Sequence, residues 1–218
     1  MNRREFSVAA AGVIAGAAVG LPGAVFAQAK APQEGIDYTT LATRAPVDTP
    51  AGKIEVIEFF WYACPHCNAF EPRFEPWVKR QSADVVVKRV PVAFRDDFVP
   101  LQRLYYTLEA LGKVDELHGK VFQAIHVEHQ RLDREDLILA WAGKQGLDPA
   151  KVKELYNSFS VSAKARRATQ LQNDYKVEGV PALGIAGRFY TDGSMTGGSM
   201  DRALQVAESL IAQVRKAP

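Results

Sequence analysis

The feature that most constrains this 218-residue chain is the run Phe59-Phe60-Trp61-Tyr62-Ala63-Cys64-Pro65-His66-Cys67, which holds its only two cysteines. The apolar stretch from Lys53 to Phe60 reads as a buried strand, and the cysteine pair falls where that strand must give way to a helix. Pro65 suits the first helical position, where its missing N–H is one the helix could not satisfy anyway, and Cys64 is then the N-cap. A sulfur at that point meets free amides and the positive end of the helix dipole. Both favour thiolate over thiol, and thiolate character makes cysteine a nucleophile. Cys67 follows one turn later, placed to attack a mixed disulfide on Cys64 and close a Cys64–Cys67 bond. The pair is expected to pass two electrons. So short a loop contributes little as a cross-link, because the entropic benefit of a disulfide grows with the loop it closes.

Composition narrows the class further. With 47% apolar residues the chain is able to bury a full core. The formal charge is only +2, and no Lys/Arg cluster interleaves with aromatics as a nucleic-acid groove requires, so nucleic acid is not an expected partner. Residues 1–29 read as an export signal. Arg3-Arg4-Glu5-Phe6 resembles a twin-arginine pattern, an uncharged Ala/Gly/Val-rich stretch follows to Phe26, and cleavage is expected near Ala27 or Ala29. Sec export and an uncleaved membrane anchor are the alternatives; Pro22-Gly23 near the end of the stretch argues against the anchor. Export to the periplasm matters for the chemistry, because an oxidising compartment lets a reactive cysteine pair serve as a disulfide donor.

Along the rest of the chain the hydrophobic period changes twice. Residues 30–96 carry a short β-prone segment at Tyr38-Thr39-Thr40-Leu41, the strand before the cysteines, and a helix to about Arg80 that Pro72 and Pro76 are expected to kink or break. Asp84 to Val92 then reads as a strand buried on both faces. Residues 97–175 show helical spacing, as in Leu101, Leu104, Tyr105, Leu108 and Leu111, with Asp133 able to cap one helix. Residues 176–218 return to strand period in a hairpin, Ala182–Ala186 and Arg188–Thr191, and close with an amphipathic helix from Met200 to Lys216. The order describes an α/β, thioredoxin-like fold with an inserted helical subdomain.

These elements resemble one known family. Glu58-Phe59-Phe60 before Cys64-Pro65-His66-Cys67, Phe70-Glu71 after it, Asn157-Ser158-Phe159, and Gly179-Val180-Pro181-Ala182 together look like the DsbA family of periplasmic thiol:disulfide oxidoreductases. The resemblance implies a protein disulfide oxidoreductase without a cofactor that donates its disulfide to reduced, unfolded secreted proteins. It implies a monomer reoxidised by a quinone-linked membrane oxidase of the DsbB type. It also implies an unusually acidic Cys64, and a cis Val180-Pro181 bond against the reactive sulfur that leaves Val180 free to pair with an extended client chain. Trp61, Tyr62 and Phe94 are either plain core or, as the resemblance implies, part of the apolar surface on which clients lie. Glu58, Glu71 and Lys88 would form a charge cluster that modulates the cysteines and relays protons to Cys67.

The residues keep other readings open. His66 is either a surface histidine or, held beside the N-cap sulfur, a group that favours the thiolate. Glu58 is a buried acid that needs a cation, with Lys88 or Arg89 available, and the pairing is either structural or functional. A half zinc site completed by His126 and His129 is weighed and set aside, because the spacing is far longer than a finger's and both histidines, like His118, are expected on a solvated face. No metal is expected. Within redox chemistry the alternative is a reductase or isomerase. Outside it, the alternative is a chaperone-like peptide binder or metal-binding protein with incidental cysteines.

Overall fold

Strand β2 (Ile54–Phe60) is buried at all seven residues and is the spine of the molecule, as its apolar run requires. The structure is a computed structural model that describes residues 30–216, so the expected signal segment lies outside the described residues. Among these residues the sheet has five strands in the order β1-β5-β4-β2-β3. Here β1 is Thr39–Thr40, β3 is Val85–Pro91, β4 is Ala182–Ile185 and β5 is Phe189–Asp192. β2 runs parallel to β3 and antiparallel to β4, with Glu58 opposite Arg89 on one side and Leu183 on the other. The β4–β5 hairpin turns through Ala186 and Gly187, both at positive φ.

The expectation for β3 is corrected. It is the sheet edge rather than an interior strand, and Val85 to Arg89 are only half-buried. An edge position explains why Lys88 and Arg89 are tolerated in an otherwise valine-rich strand: their long side chains reach past the sheet to carboxylates on neighbouring segments.

Helix α1 (Pro65–Lys79) starts at the N-cap Cys64 and continues unbroken through Pro72 and Pro76, where a kink or break was expected. Both prolines are exposed, so the carbonyls they leave unpaired are on the water side. The opposite stripe, Cys67, Phe70, Phe74 and Trp77, is buried and keeps the helix on the sheet. Helix α7 (Met200–Lys216) packs on the same side.

Between β3 and β4 the chain forms α2 (Val99–Ala110), α3 (Val114–His126), α4 (Glu135–Lys144), α5 (Pro149–Tyr156) and α6 (Phe159–Asp174), after a 3-10 turn at Asp96–Phe98. Asp148 and Ser158 cap α5 and α6 by accepting from Ala150 N–H and Val161 N–H. Asp133 does not cap α4; the N-cap is Arg134, and Asp133 instead accepts from Arg131 at 2.7 Å. The helices share one apolar core with both cysteines, while α1 and α7 enclose a second on the other side of the sheet. Tyr175, after α6, lies over Gly184 so closely that a Cβ there would sit 2.4 Å from its ring, and its hydroxyl accepts from Gly187 N–H at 2.9 Å.

Candidate active site

The junction of β2 and α1 brings Cys64, Cys67, His66, Pro65, Val180 and Pro181 to one place. The Val180-Pro181 bond is cis. Cys64 Sγ lies 3.4 Å from Val180 O, the thiol donating to that carbonyl. Pro65 opens the helix, and Cys64 has extended backbone angles, as an N-cap does. The thiol itself makes no capping hydrogen bond, but the amides of His66 and Cys67 lie close enough to act on a thiolate there. Cys64 is 8% exposed and Cys67 0%. The accessible cysteine is thus Cys64, though it is more enclosed than an outward-facing cap implies.

The two thiols differ sharply in acidity. The Cys67 thiol, by donating to Cys64, lowers the Cys64 pKa most; burial opposes it, the amides of Cys67 and His66 add to it, and the charge of His66 adds least, leaving the value at about 6. Cys67 is pushed far above the usual thiol range, first by burial and then by its bond to Cys64 and the nearby negative charges of Cys64 and Glu58. One sulfur is therefore a nucleophile and good leaving group near neutral pH, and the other holds its proton tightly. The His66 ring is exposed on the helix surface, and its charge ranks below the Cys67 thiol, burial and the two amides in its effect on Cys64.

Behind the cysteines lies a buried charge cluster centred on Arg89, not Lys88. Arg89 Nε lies 3.2 Å from Glu58 Oε2, its Nη2 lies 2.7 Å from Glu71 Oε1, and Nη2 also contacts Glu75. Lys88 projects from the other face of the strand and pairs with Glu55 at 2.8 Å, also donating to Asp48 O. Its assignment to the cluster is corrected by strand alternation, because in the parallel register Arg89 stands beside Glu58 and Lys88 beside Ile57. Burial drives Glu58 strongly up, Arg89 opposes this, and Glu71 and Glu75 reinforce it, so Glu58 is the carboxyl that keeps a proton at neutral pH.

Two further expectations change. Tyr62 is 1% exposed and cannot present its ring to a docking chain. Its hydroxyl instead meets His118 Nδ1 at 2.8 Å. His118 and His126 are not on a solvated face: His118 is buried against Phe60, Tyr62, Tyr105 and Phe122, and His126 Nε2 donates to Tyr62 O at 2.8 Å. His129 is exposed. Among the described residues no group of three or more His, Cys, Asp or Glu is arranged to hold a metal ion. The signal for His118 was present in the sequence, since it precedes Phe122 by one turn beside the Leu117/Val121 stripe.

Two surface features lie on the segments that carry the site, an aromatic cluster at Trp61 and a cleft lined by His66 and Val180. Trp61 is half-buried and stacks on Phe98 at 3.7 Å, with Phe94 packed edgewise against Phe98 and 38% exposed. The cleft, of about 460 Å³, is lined by His66, Glu178, Val180, Pro181, Asp192 and Met200, among others. The arrangement supports attack of an incoming thiolate on a Cys64–Cys67 disulfide at Cys64.

Comparison with known proteins agrees with this geometry. The model of the DSBA-like thioredoxin domain matches residues 55–205. The thiol:disulfide interchange protein DsbA of Bordetella parapertussis is 46% identical over 192 residues, 88% of this chain and 91% of that protein. That of Bordetella pertussis is 45% identical over 204 residues, covering 94% and 96%. Among solved structures, Pseudomonas aeruginosa DsbA superposes with a TM-score of 0.79 at 37% identity, covering 84% of this chain and 94% of that one. The oxidoreductase DsbA from Xylella fastidiosa gives 0.79 at 28% identity, covering 85% and 99%.

Proposed function

Because this chain belongs to the DSBA-like thioredoxin domain family and is a thiol:disulfide oxidoreductase, we propose that it works as an exported oxidase in which Cys64 exchanges with clients and Cys67 resolves. The observation that carries this reading is the divergence of the two thiols, Cys64 at about 6 and Cys67 far above the usual range. A client thiolate attacks Cys64 Sγ, the Cys64–Cys67 bond breaks, and Cys67 leaves with the electron pair. Cys67 then takes a proton, and Glu58, whose charge bears on Cys67, is the carboxyl able to supply it. A second client thiolate attacks the client sulfur of the mixed disulfide, and Cys64 leaves as a stable thiolate. The client loses two electrons and two protons. The protein gains both electrons and one proton, the other passing to water.

Client chains are reduced, unfolded secreted proteins. The cis-proline segment at Val180 offers backbone for pairing, and Trp61 and Phe94, both packed on the buried Phe98, offer an apolar shelf. The site is periplasmic after cleavage near Ala27 or Ala29, the protein acts as a monomer, and a quinone-linked membrane oxidase of the DsbB type regenerates the disulfide. Equilibration with glutathione tests the direction of transfer. The reading requires a strongly oxidising potential, well above that of thioredoxin, and a thioredoxin-like potential would make the protein a reductase instead.

A further inference from the structure

The buried groups behind the cysteines include one that the reaction above does not use. His118 sits in α3 with Phe60, Phe122 and Tyr105 packed edgewise on its ring, and its two nitrogens meet different partners. Nδ1 faces the Tyr62 hydroxyl at 2.8 Å, and Nε2 faces Glu71 Oε1 at 3.5 Å. Nε2 is buried and, with Glu71 at 3.5 Å, stops just short of a full hydrogen bond, and Glu71 Oε2 is likewise buried without a partner. A carboxylate only accepts, so the proton of a neutral ring belongs on Nε2, and Tyr62 donates to Nδ1. Burial pulls His118 below its ordinary value of 6.5 despite Glu71, which makes it a neutral donor. On Glu71, burial alone would raise the pKa, but His118 and then Arg89 reverse this and hold it below the usual range.

The groups facing this ring come from four other segments: Tyr62 after β2, Glu71 and Glu75 on α1, Arg89 on β3, and Tyr105 on α2, with Glu58 of β2 beyond Arg89. Three carboxylates share one guanidinium. Whatever keeps Glu71 and Glu75 charged leaves Arg89 divided and Glu58 as the member that must hold a proton.

We propose that His118 is a positioning residue of disulfide exchange: its Nε2–H, fixed by the Tyr62 hydroxyl, keeps Glu71 ionised on Arg89 and thereby reserves Glu58 as the protonated carboxyl that serves Cys67. The inference rests on the reading that Glu58 handles the Cys67 proton. Without the donor, Glu71 takes up a proton more readily, Arg89 turns more of its charge to Glu58, and Glu58 gives up its proton at lower pH.

The test is the pH dependence of the step in which Cys67 displaces glutathione from a Cys64–glutathione mixed disulfide, followed by rapid mixing. His118→Phe keeps an aromatic ring among its aromatic neighbours and removes the donor. It should move the limb of the profile down by roughly one pH unit. His118→Gln keeps an N–H able to reach Glu71 and should leave the limb in place. A packing role gives the reverse ranking, with Phe harmless and Gln disruptive. Glu71→Gln provides a near-isosteric second route should His118→Phe fail to fold, and it should move the limb in the same direction. In the double variant the shifts should not add, because His118 acts through Glu71. A limb that stays put in both His118→Phe and Glu71→Gln overturns the inference, as does one displaced as far by Gln as by Phe at His118. Glu58→Gln separates this failure from that of the underlying reading: if it leaves the limb where it is, Glu58 does not handle the proton and both fall.

Discussion

Cys64 Sγ lies 3.4 Å from the carbonyl oxygen of Val180, on a segment of chain that enters the sheet more than a hundred residues later. The contact links the two halves of the thioredoxin-like core at the atom where exchange occurs. On the proposed mechanism, a client sulfur bonded to Cys64 would be held beside the Val180 backbone.

The first prediction concerns the acidity of the two thiols. Thiolate absorbance of the reduced protein should titrate with a midpoint near 6 for Cys64, with no second transition below alkaline pH. Alkylation should modify Cys64 first. Because the Cys67 thiol lowers Cys64 most and the His66 charge least, Cys67→Ala should raise the Cys64 midpoint more than His66→Ala does. The opposite ranking would assign the thiolate's stability to the histidine.

A second prediction concerns the β4 face. Gly184→Ala places a Cβ 2.4 Å from the Tyr175 ring, which is anchored by Gly187 N–H and packed against Phe59. The ring has no free direction of retreat, so denaturant unfolding should show a loss of about 1–3 kcal/mol. A neutral substitution would mean that Tyr175 is not fixed over the strand.

Glu58→Gln should stabilise the protein. Glu58 is raised by burial, so the folded state retains its proton at pH values where the unfolded chain has released it, and this group's contribution falls as pH rises above its ordinary value of 4.5. Removing the titration should give a gain that is absent at pH 4, grows through neutral pH and levels off above the folded pKa. Arg89 keeps Glu71 and Glu75 as partners in the variant. Urea melts of both proteins across this range measure the difference, and a loss at pH 7 would show that Glu58 is stabilising as a carboxylate.

Arg89→Met should be costly, because it leaves Glu58, Glu71 and Glu75 around an empty position. Breaking a buried ion cluster from one side costs about 3–5 kcal/mol. The loss should shrink as pH falls and the carboxylates take up protons. A loss independent of pH would make Arg89 a packing residue over Phe74, whose ring it also covers.

Local rules made much of this legible in the sequence. The strand-to-helix junction, the N-cap cysteine, Pro65 at the helix start and the change of period at residue 97 each follow from chemistry within a few residues. What was misread depended on partners distant in the chain. Nothing local shows that β3 lies at an edge, that Arg89 rather than Lys88 shares a face with Glu58, or that Tyr62 turns inward to His118. The effect of Pro72 and Pro76 likewise depends on which side of α1 faces water, which no neighbouring residue specifies.

The central claim is that the disulfide is readily given away because ionisation of Cys64 stabilises the reduced state. Reduction creates a charge at Cys64 that Cys67 and the first-turn amides hold, while the lost cross-link closes a loop so short that its chain entropy contributes only about 2 kcal/mol. With the folded value near 6 and the unfolded value at 9.0, this stabilisation is full above the unfolded value and fades as pH falls through the folded one. At pH 7 it amounts to on the order of 1 kcal/mol, or a few degrees in melting temperature. Paired melting curves of the oxidised and reduced protein at pH 7 and pH 5 measure it directly. The account predicts that the Tm of the reduced form rises relative to that of the oxidised form between pH 5 and pH 7; a difference that stays constant, or that moves the other way, would contradict it.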